Sequence, residues 1–90
     1  MSAPDRTAVP APPRVLELTA AYYPGESGWI VGEVLDARSV YSQGRTLESA
    51  RRHLAVALAL IARGAPHQLG TRKRRKPRGA VTETFVVVLA

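Results

Sequence analysis

The sequence contains no cysteine, which excludes disulfide bonds and thiolate metal ligands. Its two histidines, His53 and His67, have no carboxylates at ligand spacing around them, so no metal site is predicted. No apolar run approaches the roughly 20 residues that span a bilayer, and the N-terminus lacks the apolar stretch of a signal peptide. We therefore expect a cytoplasmic protein with no membrane contact, no metal and no other cofactor.

The sequence also lacks the patterns of an active site. It has neither a glycine-rich phosphate loop nor a nucleophile elbow. Glu17, Glu33 and Asp36 are the closest approach to the convergent carboxylates of a metal-dependent nuclease, but nothing in the sequence forces them together. They are better explained as residues on the solvent face of a small sheet. We expect no catalytic residues and no enzyme.

Positive charge is concentrated in one segment. The chain has 13 Lys and Arg against seven Asp and Glu. Six of the cations stand within seven residues, and without them the two signs are equal in number: Arg72, Lys73, Arg74, Arg75, Lys76 and Arg78. Such a tract either binds DNA or RNA through phosphates or forms a solvated loop. No aromatic residue is interleaved with it, which argues against base stacking.

The chain is long enough for one domain, and 46% hydrophobic residues provide a small core. Residues 1–13 contain four of the seven prolines and predict a disordered tail. Residues 14–90 predict a single α+β domain with the order β-β-β-α-β. Alternating apolar residues indicate strands at 15–23, 29–34 and 39–43, and a further strand at 81–89.

A helix is predicted over residues 47–63, because apolar residues recur there at helical spacing. Thr46 is its expected N-cap, and Gly64 its expected left-handed stop. A basic loop over 64–79 leads to the final strand. We expect an antiparallel three-stranded meander with one helix packed on the sheet. A right-handed crossover would place the final strand parallel to the first.

Two predicted elements have more apolar surface than one core can cover. The helix carries a second stripe of Val56 and Leu60, flanked by Arg52, and the final strand presents Val86 and Val88 on its second face. A domain this small gains stability from association. We therefore interpret these five residues as a protein interface and expect a homo-oligomer.

The sequence from Tyr22 to Val34, followed by residues 40–50, resembles the HicB family of antitoxins. Gly28-Trp29 matches the family's Gly-aromatic start to the second strand. Gly44, Thr46 and Ala50 match its Gly-x-Thr-x-x-x-Ala entry to the helix. The resemblance covers residues 15–63 and implies a partial RNase H-like fold. It also implies an antitoxin of a type II toxin–antitoxin system, which binds a small HicA-like toxin ribonuclease and covers its active site.

The sequence departs from the family at three places. Residues 35–39 replace a Pro-x-Leu-Pro-Gly-like segment, and Arg45 stands where an acid is common. No DNA-binding domain follows Leu89 in this sequence, so the resemblance implies the toxin-binding domain alone, or an orphan relative without a toxin. The alternative function, from another class, is a nucleic-acid-binding module that uses the loop Arg72–Arg78.

Overall fold

The computed structural model describes residues 14–89, and the predicted tail at 1–13 lies outside them. The domain is α+β, as predicted, with one helix packed on a four-stranded antiparallel sheet. Its elements are β1 (Arg14–Pro24), β2 (Ile30–Val34), β3 (Tyr41–Gly44), α1 (Leu47–Gly64) and β4 (Val81–Leu89), with short 3₁₀ turns at Glu26–Gly28 and Pro66–Gln68.

The sheet has the strand order β3-β2-β1-β4, and every neighbouring pair is antiparallel. Successive side chains on a strand point to opposite faces. Leu18, Ala20 and Tyr22 of β1 are therefore buried in the core, together with Leu54 and Leu58 of α1. We call the side of the sheet that carries α1 the helix face and the opposite side the outer face.

The start of α1 depends on two residues that precede it. Thr46 Oγ1 accepts a hydrogen bond from Ser49 N at 3.0 Å, which confirms the predicted N-cap. Gly44 lies so close to the first turn that an added Cβ would be 2.6 Å from Ala50 N. The predicted end of the helix was wrong in detail. Gly64 is the last helical residue and has no positive φ, and Ala65 N closes the helix by donating to Ile61 O at 2.8 Å.

The direction predicted for the last strand was also wrong, because β4 runs antiparallel to β1. The segment after α1 does not enter β4 directly. Gly70 N and Thr71 N donate to Asp36 O at the end of β2, and Arg74 N donates to Leu35 O. Residues 71–79, which we call the basic strap, then cross the outer face to the start of β4. α1 carries the chain from one end of the sheet to the other, and the strap carries it back. β4 therefore begins beside the end of β1 and runs antiparallel to it.

Candidate functional site

The five residues predicted as one interface belong to two separate surfaces. Val56 and Leu60 are 57% and 62% exposed on the side of α1 away from the core, and with Arg52 they form the helix patch. Val86 and Val88 are 62% and 61% exposed. Because they alternate with Phe85 and Val87, which pack against the core on the helix face, they lie on the outer face. The two pairs therefore cannot contact one flat partner together.

Val15 enlarges the surface around Val86 and Val88. It is directly opposite Val88 in the β1–β4 pairing and is 61% exposed. We call Val15, Val86 and Val88 the strand patch. The sequence analysis did not include Val15 in the interface. Its signal is the strand alternation: Val15 is three residues from the core residue Leu18 and therefore points to the opposite face. β2 pairs only with Ala20–Pro24 of β1. The strand patch therefore lies on the part of the sheet that consists of β1 and β4 alone.

The free edge of β4 adjoins the strand patch. Within residues 14–89, β4 pairs with β1 alone and forms one border of the sheet. Exposed edge strands are commonly protected by lysine, proline or a bulge, because their unpaired N–H and C=O groups can bind another strand. Residues 84–89 contain no charged residue and no proline. This edge is therefore open to β-strand addition by another chain.

On the helix face, an apolar groove of about 390 Å³ runs between α1 and β4. Ala55, Ala59 and Ala62 form much of the helical wall, and their short side chains leave the space open. Phe85 and Val87 form part of the opposite wall. β4 therefore offers a partner an unpaired edge with apolar surface on both sides.

A polar cluster joins α1 to β4 beside this groove. Arg51 Nε lies 2.7 Å from Glu83 Oε2, and Tyr22 Oη donates to Glu83 Oε1 at 3.2 Å. Burial raises the pKa of the Tyr22 hydroxyl, and the Glu83 carboxylate raises it further. The hydrogen bond to Glu83 raises the pKa of Arg51. No pattern in the sequence indicates this cluster, because it forms only when β1 and β4 pair in the observed register.

The three carboxylates considered for a nuclease have separate surroundings. Asp36 Oδ1 accepts a hydrogen bond from Thr19 N at 2.8 Å, and Glu33 accepts one from Tyr23 Oη at 2.7 Å. Burial, and then the bond to Glu33, raise the pKa of Tyr23 to about 12. Glu17 is exposed on β1. Among residues 14–89, no three His, Cys, Asp or Glu side chains are grouped to hold a metal ion.

The residues that carry the HicB resemblance have local structural roles. Gly28 has φ +78°, which glycine adopts without steric cost, in the turn before β2. The Arg45 guanidinium lies 3.9 Å from the centre of the Trp29 ring, and its Nη1 donates to Ser27 O at 2.8 Å. Arg45, where the family often has an acid, thus fastens the β1–β2 turn to the start of α1 through a cation–π contact.

The six cations of the basic strap do not form one equivalent set. The Arg74 side chain is 41% exposed, but its guanidinium is bound to the domain: Nη1 donates to Ala37 O at 2.8 Å and Nη2 donates to Val34 O at 2.9 Å. Arg74 Nη2 is also 3.7 Å from Glu33 Oε1. The predicted role of Arg74 as a phosphate ligand stays a prediction. The other five cations are also exposed, and none of them takes part in an ion pair among residues 14–89: Arg72, Lys73, Arg75, Lys76 and Arg78.

Comparisons with models of known protein families, with curated proteins and with solved structures found no match to this chain. Among the described residues, no helix is both long and apolar enough to cross a membrane.

Proposed function

We propose that the domain is a protein-binding module that acts as a HicB-like antitoxin or as an orphan relative. The observation that carries the proposal is the unprotected edge of β4, which has exposed valines on the outer face and an open apolar groove on the helix face. A strand from a partner can extend the sheet at this edge, while its side chains contact the valines or enter the groove.

The motif resemblance supplies the class of partner, a small HicA-like toxin ribonuclease that the domain neutralises by covering its active site. The matching residues Gly28, Gly44 and Thr46 shape the β1–β2 turn and the β3–α1 junction. They account for the fold that presents β4, and they do not themselves contact the proposed partner surface.

The same edge suits a second copy of the chain. Two β4 strands paired antiparallel would form a continuous eight-stranded sheet and would bring the valines of both copies together on its outer face. We therefore propose that the free protein is a homo-oligomer and that the toxin competes for the edge that holds the copies together.

The proposal is tested by measuring how the domain inhibits RNA cleavage by a purified HicA-like ribonuclease. Val86→Lys/Val88→Lys should weaken inhibition by at least about tenfold, since charges would enter an apolar contact. Val56→Lys/Leu60→Lys is the matched control, because these two residues are equally exposed on the opposite side of the domain. We expect it to inhibit like the original chain.

Inhibition lost only in the helix-patch variant would place the partner on α1 and would contradict the proposed β4 site. Absence of any inhibition by the original chain would contradict the antitoxin function itself.

A further inference from the structure

The basic strap is a fixed feature of the sheet surface. Its start is held by Thr71 N, which donates to Asp36 O, and its middle by Arg74 N, which donates to Leu35 O. The Arg74 guanidinium bonds two further carbonyl oxygens at the end of β2. Near its end, Ala80 N donates to Pro77 O, and Ala80 is buried against Ala21 and Leu35.

The five cations other than Arg74 are thus carried on a backbone that is already positioned. Within residues 14–89, neither ion pair of the structure involves any of them. The Glu33 carboxylate, which lies beside Arg74, accepts a hydrogen bond from Tyr23 Oη and pairs with Arg74. A ligand that binds these cations would not have to displace an acidic partner or order a flexible loop.

The strap and the sheet together form a shallow basic depression of about 360 Å³. Lys73, Arg74, Arg75 and Lys76 line it from the strap, and the hydroxyl-bearing residues Thr19 and Thr82 line it from β1 and β4. Leu35, which is 2% exposed, completes the lining. Lys73 Nζ already donates to Thr19 Oγ1 at 3.4 Å, so ammonium and hydroxyl donors converge there. Ammonium, guanidinium and hydroxyl groups are the side-chain donors that phosphate oxygens accept from in nucleic-acid complexes.

The residues that line this depression indicate whether it suits a protein, stacked bases or a row of phosphates. Protein interfaces have apolar or aromatic anchors at their centre. No aromatic residue lines this depression, and its one apolar lining residue, Leu35, is only 2% exposed. Base stacking also requires aromatic side chains. A line of cations with hydroxyls and without anchors suits an extended row of phosphates.

We propose that the basic strap binds the phosphate backbone of nucleic acid without sequence preference, through Arg72, Lys73, Arg75, Lys76 and Arg78. Arg74 is a positioning residue, which fixes the strap to the end of β2. This site lies apart from the β4 edge, and the inference does not depend on the antitoxin function.

Fluorescence anisotropy with a labelled duplex DNA and a single-stranded RNA of equal length tests the proposal over a salt series. If all five cations contact phosphates, the log–log salt slope should be roughly −4.5 for the duplex and −3.5 for the single strand. Arg75→Gln/Lys76→Gln should weaken binding at low salt by about tenfold or more. It should also reduce the duplex slope to roughly −2.7, because two contacts are lost.

Arg52→Gln/Arg63→Gln is the matched control, since it removes two exposed charges from α1 and leaves the strap intact. We expect its slope to stay near that of the original chain. Both variants should melt like the original chain, because none of the four side chains makes a hydrogen bond or ion pair among the described residues.

Equal losses of affinity in the two variants would show that binding follows total charge and would overturn the proposal. Failure to bind either nucleic acid at low salt, or tighter binding to phosphatidylserine vesicles than to both nucleic acids, would also overturn it. A steeper slope for the duplex than for RNA, with loss confined to the strap variant, is the expected result.

Discussion

Two glycines of the same chain show how strongly local surroundings control the effect of one methyl group. At Gly44 an added Cβ would lie 2.6 Å from both Ala50 N and Ser49 Oγ. To make room for it, β3 and the first turn of α1 would have to move apart. At Gly64 no atom lies within 4 Å of the added Cβ, and the backbone is helical.

Gly44→Ala should lower the free energy of unfolding by about 1–3 kcal/mol, the usual cost of overpacking. Gly64→Ala should raise it by up to about 1 kcal/mol, since alanine loses less entropy in a helix. Chemical denaturation of both variants checks this pair. Equal destabilisation would show that the contact between β3 and α1 is looser than the structure indicates.

The second prediction at this scale concerns alkaline stability and Tyr23. Its pKa is raised from 10.0 to about 12 in the folded chain, chiefly by burial and then by the hydrogen bond to Glu33. Between these two values the unfolded tyrosine loses its proton while the folded one keeps it. The free energy of unfolding should therefore fall as pH rises through this window, and the stabilisation is complete below pH 10.

Tyr23→Phe removes this titration, so its stability should decline less steeply between pH 10 and 12 than that of the original chain. Denaturant unfolding at several pH values measures the difference. Parallel profiles for Tyr23→Phe and the original chain would contradict the burial of this hydroxyl.

At the scale of elements, the basic strap combines an anchor with a charged surface. Arg74→Gln leaves the carbonyl oxygens of Val34 and Ala37 without their guanidinium donors. We expect it to lower the free energy of unfolding by about 1–3 kcal/mol, the cost of losing partners for such groups. Arg75→Gln, a few ångströms along the same segment, should change stability by no more than about 0.5 kcal/mol.

Thermal melting of these two variants compares directly the cation that is hydrogen-bonded to the domain with one that is not. The same melting temperature for both would mean that Arg74 does not hold the strap, and the direction of β4 would then need another explanation.

The elements differ in how far their sequence determines them. The helix was predictable, because Leu54 and Leu58 recur at helical spacing and the Thr46 cap is a local interaction. The alternation of residues 85–89 was equally informative, and it correctly placed Val86 and Val88 on the surface. The direction of β4 was not predictable, because it follows from hydrogen bonds between the strap and the carbonyls of Leu35 and Asp36. Because every residue has a backbone carbonyl oxygen, the side-chain pattern does not reveal which of them accept these bonds.

The candidate site was predictable only in part for the same reason. Pattern alone identifies exposed apolar residues on α1 and β4, but whether they share a surface depends on the three-dimensional arrangement. The structure separates Val56 from Val86 and adds Val15, a residue about 70 positions away in sequence but directly beside Val88. Likewise, the six cations between Arg72 and Arg78 appear equivalent in sequence, although the guanidinium of Arg74 is bound to two backbone carbonyl oxygens of the domain.

At the scale of the whole molecule, a single helix covers only one face of a four-stranded sheet. The basic strap covers the part of the outer face around Ala21, Leu35 and Ala80. It does not reach Val15, Val86 and Val88, which stay exposed beside the free edge of β4. A second chain on this edge would extend the sheet and place its own residues beside these valines, and small domains often need such association.

Light scattering over a concentration series measures the mean mass of the protein in solution. It tests directly whether the β4 edge binds another chain, because the account expects a second copy to bind there and no other partner is needed. The original chain should rise in mean mass toward a dimer or larger assembly. Val86→Lys/Val88→Lys should stay monomeric with an unchanged circular dichroism spectrum, and Val56→Lys/Leu60→Lys should associate like the original chain. A monomer at high micromolar concentration, or association that is lost only when the helix patch is altered, would contradict this account.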